Sequence, residues 1–163
     1  MRKIWWLLGF LFLLSQNALF AREINQQEIN TVDEKTKQTL IQSACDARKK
    51  AYAPYSHYLV GSALLTRRGL IFQGANVENA SYGLTCCSER VAVFKAVSEG
   101  ITDFVAMAIA TKDGGFPCGA CRQVLNEFNS NLIILITNEN GHLVRETTLS
   151  ALLPEAFGPQ NLD

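Results

Sequence analysis

Residues 85–90 read TCCSER and residues 116–123 read FPCGACRQ, and four of the five cysteines of the chain lie in these two stretches. Each opens a helical pattern. After Cys86, the residues Val91, Phe94 and Val97 recur at helical spacing until Gly100, a residue suited to end a helix. From Cys118 a second helix is expected to about Phe128. FVAMAIAT (104–111) lies between them and LIILIT (132–137) follows; both are short continuous apolar runs that read as strands buried on both faces. The two cysteine stretches thus stand where loops enter helices, within an alternation of strand and helix.

Working outward completes the order. Upstream, LVGSALLT (59–66) and LIFQG (70–74) flank Arg67-Arg68-Gly69 and read as a hairpin. Before them Leu40, Ala44, Ala47 and Ala51 have helical spacing, with Pro54 as a barrier to continuation. Thr31 and Glu34 have capping-box spacing at the start of this helix. Downstream, NENG (138–141) turns into HLVRE, and LSALLP is a short closing helix. The order α-β-β-α-β-α-β-β-α argues for an α/β domain, a single mixed sheet of about five strands with helices on both faces.

Residues 1–21 stand apart. Arg2 and Lys3 precede an uninterrupted apolar or glycine run of 11 residues from Ile4 to Leu14, and small residues at Ala18 and Ala21 follow. This is the layout of a secretory signal peptide, and the run is too short to span a bilayer. The expected organisation is a leader over 1–21, a polar linker and the start of the first helix over 22–38, and the main domain over 39–163. A leader implies export, to a periplasm or outside the cell. Basic and acidic residues balance at 15 each, so loss of the leader leaves the domain two charges negative. No basic run provides a footprint for nucleic acid, and with the leader gone nothing in the pattern calls for a membrane.

Cysteines carry several chemistries. A buried one is commonly a small apolar side chain, exported proteins form disulfides, and CGAC at a helix start suits a thiol redox pair. Redox chemistry gives Cys87 and Glu89 no role, and the only tryptophans, Trp5 and Trp6, lie in the leader. Zinc accounts for more. Cys118 and Cys121, at i and i+3, share one face of a first helical turn. A third thiolate from the other helix start completes a three-ligand site, whose fourth position is left to water in catalytic zinc centres. The third ligand is Cys86 or Cys87, and spacing alone does not choose. Glu89 stands close enough to either to serve a metal-bound water.

CSE followed by PCGAC resembles the zinc nucleoside and nucleobase deaminases. With YAPYSHYLVGSALLT, GANVENASYG and CCSERVAVFKAVSEG, the chain is similar from about Thr39 to about Asn161 to the small, homotetrameric cytidine deaminases. That resemblance implies zinc held by Cys87, Cys118 and Cys121, one ion per subunit. It implies hydrolysis of cytidine and 2′-deoxycytidine by attack of hydroxide on C4, with Glu89 as the proton shuttle. Arg90 would support the thiolates, and Asn76 and Glu78 would hold the ribose. Tyr58 would stack on the pyrimidine, and Ser88 would offer its backbone N–H. Tyr82 and Phe157 would reach the sites of neighbouring subunits, so the expected assembly is a homotetramer with shared sites and a small nucleoside as substrate. Three features depart from the usual pattern: serine at 88 for alanine, tyrosine at 58 for phenylalanine, and a leader in a family that is mostly cytoplasmic. A blasticidin-type nucleoside substrate is the nearest rival; a structural zinc module or a thiol oxidoreductase is the rival from another class.

Overall fold

In the computed structural model, residues 32–162 are described; the leader over 1–21 and the Thr31 cap lie outside them. Helix α1 (Glu34–Arg48) starts on Asp33, whose side chain accepts from the Thr36 N–H at 3.0 Å and so satisfies an otherwise unpaired donor of the first turn. The cap is therefore two residues beyond the position expected from the capping-box spacing. Leu40, Ala44 and Ala47 form the buried stripe. Ala51 is not helical. The chain leaves the helix after Arg48 because Tyr52 is drawn into pairing with residues 76–78: its N–H donates to the Asn76 carbonyl at 2.9 Å, and its carbonyl accepts from Glu78 N–H at 2.8 Å. A long-range pairing, rather than Pro54, ends α1.

Strands β1 (Gly61–Thr66) and β2 (Ile71–Ala75) form the expected antiparallel hairpin. Helix α2 (Ser88–Ser98) leads to β3 (Phe104–Ala110), and helix α3 (Gly119–Asn126) to β4 (Ile133–Thr137). β5 (Leu143–Thr148) and the one-turn α4 (Leu149–Leu152) close the chain. The sheet runs β2-β1-β3-β4-β5, with β3 and β4 parallel and the other pairs antiparallel. It is the mixed five-stranded sheet expected from the sequence. No helix among the described residues is long and apolar enough to cross a membrane.

Alternation along β1 and β2 sets the layers. Gly61 faces α1 so closely that a Cβ there would lie 2.1 Å from the Arg48 nitrogen. Its neighbour Ser62, and Gly74 paired opposite Ser62, face α2 instead; a Cβ on Gly74 would lie 2.1 Å from the Ser88 carbonyl oxygen. Successive strand residues point to opposite faces, so α1 and α2 cover opposite sides. Leu64, Phe104, Met107, Ile109, Ile134 and Ile136 fill the core and are almost fully buried. Each such side chain contributes about 1.5–3 kcal/mol. Gly74 brings the start of α2 down onto the end of the sheet where β3 finishes. Loops at the carboxyl ends of parallel strands are the usual place for a site in such sheets.

Candidate active site

Cys87 is the N-cap of α2 and Cys118 the N-cap of α3, with Cys121 in the first turn of α3. Their sulfurs converge: Cys118 Sγ is 4.0 Å from Cys87 Sγ and 3.5 Å from Cys121 Sγ, and all three lie within 4.8 Å of one another. Tetrahedral zinc with Zn–S bonds of 2.3 Å sets sulfurs about 3.8 Å apart, so the trio fits that ion. Cys86 is not in the cluster. It pairs with Val77 through both backbone groups, and alternation along that bridge turns the next residue, Cys87, the other way. The choice that spacing left open is made by this bridge.

Two helix N-termini face the thiols and favour negative charge on sulfur. The Cys87 thiol is pulled down to about 5, chiefly by the hydrogen bond from Cys121, and next by Arg90. Cys121 is pushed up by that donation to Cys87 and by burial. Arg90 Nη2 donates to Cys87 Sγ at 3.7 Å and to the Thr85 carbonyl at 3.1 Å, so the guanidinium lies against the cluster rather than in a surface ion pair.

Glu89 is only 4% exposed. Burial pushes its carboxyl above the ordinary range. It lines a cavity of about 350 Å³ together with Cys87 and Cys118. Tyr58, Asn76 and Glu78 also line this cavity, so the structure gathers most of the sequence-derived candidates around one space. Ser88 is fully buried beside Glu89.

Asn76 and Glu78 have a second task. The Asn76 side chain accepts from Val60 N–H at 2.9 Å and donates to the Tyr58 carbonyl at 3.0 Å. Glu78 accepts from Tyr55 N–H at 2.8 Å, from Ser56 N–H at 3.2 Å and from the Ser56 hydroxyl. Together they fasten the 55–60 segment over the cavity. The hydroxyl of Ser56 holds the Glu78 carboxyl below its ordinary value.

Tyr58 presents its ring to the cavity while its hydroxyl donates to Asp113 Oδ1 at 2.6 Å. Thr111, Asp113 and Phe116 lie in the loop that precedes Cys118 and are neighbours of the site beyond those expected from the sequence. The loop's direct continuation into Pro117-Cys118 was the available signal. Ser62, a hydroxyl buried in β1, is a further neighbour of the site that the sequence pattern does not single out. Tyr82 and Phe157 do not line this cavity; they are 76% and 59% exposed. Cys45 is buried against the Asn138 carbonyl.

Comparison with known proteins places this geometry. The sequence model of the cytidine and deoxycytidylate deaminase zinc-binding region matches residues 34–137. A cytidine deaminase of Sporosarcina psychrophila is 47% identical over 126 residues, 76% of this chain and 92% of that protein. One from Halalkalibacterium halodurans is 48% identical over 130 residues, 78% of this chain and 98% of that protein. The crystal structure of cytidine deaminase from Burkholderia pseudomallei superposes with a TM-score of 0.70 at 48% identity, covering 73% of this chain and 97% of that one.

Proposed function

Because the chain belongs to the cytidine and deoxycytidylate deaminase family, we propose that it hydrolyses cytidine and 2′-deoxycytidine to uridine and 2′-deoxyuridine with release of ammonia. The observation that carries this reading is the placement of Glu89, buried on the wall of the cavity that Cys87 and Cys118 also line. Cys87, Cys118 and Cys121 are the residues that would hold zinc. When bound, zinc supplies Lewis acidity that makes water a competent nucleophile near neutral pH.

The remaining work falls to side chains. Glu89 takes a proton from the attacking water and gives it to N3 of the pyrimidine, which makes C4 electrophilic. It later takes the second proton of the former water from the hydroxyl now on C4 and passes it to the amino group, so that the C4 carbonyl forms as the C4–N bond breaks and ammonia leaves. One carboxylate can be base and then acid when its pKa lies near the working pH, and burial moves Glu89 in that direction. Arg90 offsets the charge of the thiolates. The Tyr58 ring offers a flat face to the base, and the backbone N–H of Ser88, the first residue of α2, would donate to the substrate. The cavity, about 350 Å³, lies in the range of small-molecule sites.

Asn76 and Glu78 can hold a ribose hydroxyl without giving up the loop. An ionised carboxylate accepts at about four lone-pair positions and an amide offers two donors and two acceptor positions. Glu78 has three partners and Asn76 two. One hydroxyl can therefore donate to Glu78 and accept from the second Asn76 N–H.

The exposed Tyr82 and Phe157 suit contacts with neighbouring copies of the chain, and the assembly proposed is a homotetramer whose subunits complete one another's sites. Residues 1–21 are proposed as a cleaved export leader, on the strength of Arg2, Lys3 and the apolar run that follows. The decisive experiment is incubation of purified, zinc-replete protein with cytidine. Release of one ammonia per uridine formed is expected; a zinc-replete protein that leaves cytidine intact would sink the reading. Sedimentation gives the assembly, and mass spectrometry of the native N-terminus tests a mature start near Arg22.

A further inference from the structure

Ser62 and Ser88 are both fully buried, and their hydroxyl oxygens lie 2.5 Å apart. Ser88 Oγ in turn donates to Glu89 Oε2 at 3.1 Å. A hydroxyl has a single proton. If Ser88 gives its proton to the carboxylate, the bond between the serines must run from Ser62 to Ser88. The chain of donation is then Ser62 to Ser88 to Glu89. Ser62 ends it, since no further hydrogen bond joins the Ser62 hydroxyl to another described residue. Such a chain has nowhere to deliver a proton. It is not a conduit, and what it can do is orient a carboxylate.

We propose that the Ser62–Ser88 hydroxyl pair is a positioning device for Glu89 that fastens Oε2 and leaves the other carboxylate oxygen to exchange protons with the reactants. The assignment rests on the reading of Glu89 as the proton shuttle. Two features of the fold build it. Gly74, opposite Ser62, has no Cβ, so the start of α2 settles directly on the sheet and brings Ser88 over Ser62. Ser62 stands on β1 at the point where the strand faces α2. A buried hydroxyl without a partner is unfavourable, and here each serine is the other's partner. The pairing also fixes direction, because an ionised carboxylate only accepts. A donor two bonds long polarises more strongly than an isolated hydroxyl.

The test is a double-mutant cycle on the zinc-loaded enzyme with Ser62→Ala, Ser88→Ala and the double variant. Ser88→Ala is expected to lower kcat roughly 3- to 10-fold with KM for cytidine within about twofold, because the lost bond acts on Glu89 and not on substrate binding. Ser62→Ala is expected to lower kcat by roughly 2- to 3-fold. The double variant should match Ser88→Ala alone, since removing Ser88 already cuts the chain. Zinc content should be that of the parent in all three. Unchanged kcat in both single variants, multiplicative losses in the double, or losses carried by KM would each overturn the device. If Ser88→Ala does not fold, Ser62→Ala decides alone by the same split of kcat from KM. An inert parent enzyme would overturn the deaminase reading together with this one, whereas an active parent with untouched variants overturns only the hydroxyl chain.

Discussion

The Sγ atoms of Cys87 and Cys118 lie 4.0 Å apart although 31 residues separate them. Neither belongs to a regular element; each is the cap on which a helix begins. The closeness comes from α2 and α3 entering the same end of the sheet. Cys87→Ala should therefore lose zinc and activity together, while Cys86→Ala, whose side chain is outside the cluster, should keep both. Metal analysis of the two proteins checks this. Zinc retained by Cys87→Ala and lost from Cys86→Ala would reverse the assignment.

Glu89→Gln removes the proton shuttle and little else. The glutamine is nearly isosteric and still accepts from Ser88. Turnover of cytidine should fall by ~10²–10⁴-fold, the usual contribution of a general acid–base group, with zinc content unchanged. Thermal stability should not fall, because the replacement removes a carboxyl whose charged form burial disfavours. A variant that turns over cytidine near the parent rate would show that another group carries the proton.

Much of this was legible in the sequence, for local reasons. Gly100, at φ +78°, ends α2, and Gly141, at φ +79°, makes the turn before β5; both positions are marked by the residue that tolerates them. The apolar runs of β3 and β4 announce buried strands, and the Cys118–Cys121 spacing announces a shared face. What was not legible depends on distant partners. The end of α1 is set by Tyr52 pairing with residues 76–78, not by any residue in the helix. That Asn76 and Glu78 also brace residues 55–60 is not legible, because nothing in NVEN reveals that this distant segment needs fastening. The choice between Cys86 and Cys87 turned on a backbone bridge to Val77, which leaves no trace in composition or spacing.

Gly61→Ala should be poorly tolerated. The added Cβ would meet the Arg48 nitrogen at 2.1 Å, the Ala44 carbonyl oxygen at 2.3 Å and the Arg48 Cα at 2.6 Å. All three are backbone atoms of α1 and cannot rotate away. The helix must lift from the sheet, at a cost of roughly 3 kcal/mol or more. Gly69→Ala is the useful contrast, since open space surrounds that turn position; only its positive φ opposes the change, by about 1 kcal/mol. Chemical denaturation of both variants checks the order, and a Gly61→Ala protein as stable as the parent would mean that α1 packs farther from β1 than described here.

The loop brace at Glu78 gives a pH prediction with a definite sign. The ionised carboxylate accepts from two backbone N–H groups and the Ser56 hydroxyl, and this holds its pKa below the ordinary 4.5, with Ser56 as the largest cause. A carboxyl depressed by folding contributes stability that is fully present above its unfolded value and is lost as pH falls through its folded value. The 55–60 segment should therefore stay fastened at neutral pH and loosen only below about pH 4.5. Ser56→Ala removes the hydroxyl but leaves both backbone donors, so the Glu78 titration should move up toward the ordinary value without reaching it. Glu78→Ala goes further: it leaves the Tyr55 and Ser56 N–H groups, which both donate to one Glu78 oxygen, without their acceptor, so KM for cytidine should rise by roughly tenfold or more at neutral pH. The carboxyl carbon of Glu78, followed by NMR against pH in the parent and in Ser56→Ala, reads the shift directly and separately from any acid-induced change at the cysteines. An identical midpoint in the two proteins would show that the Ser56 hydroxyl does not hold Glu78, and the brace would then rest on the two backbone donors alone.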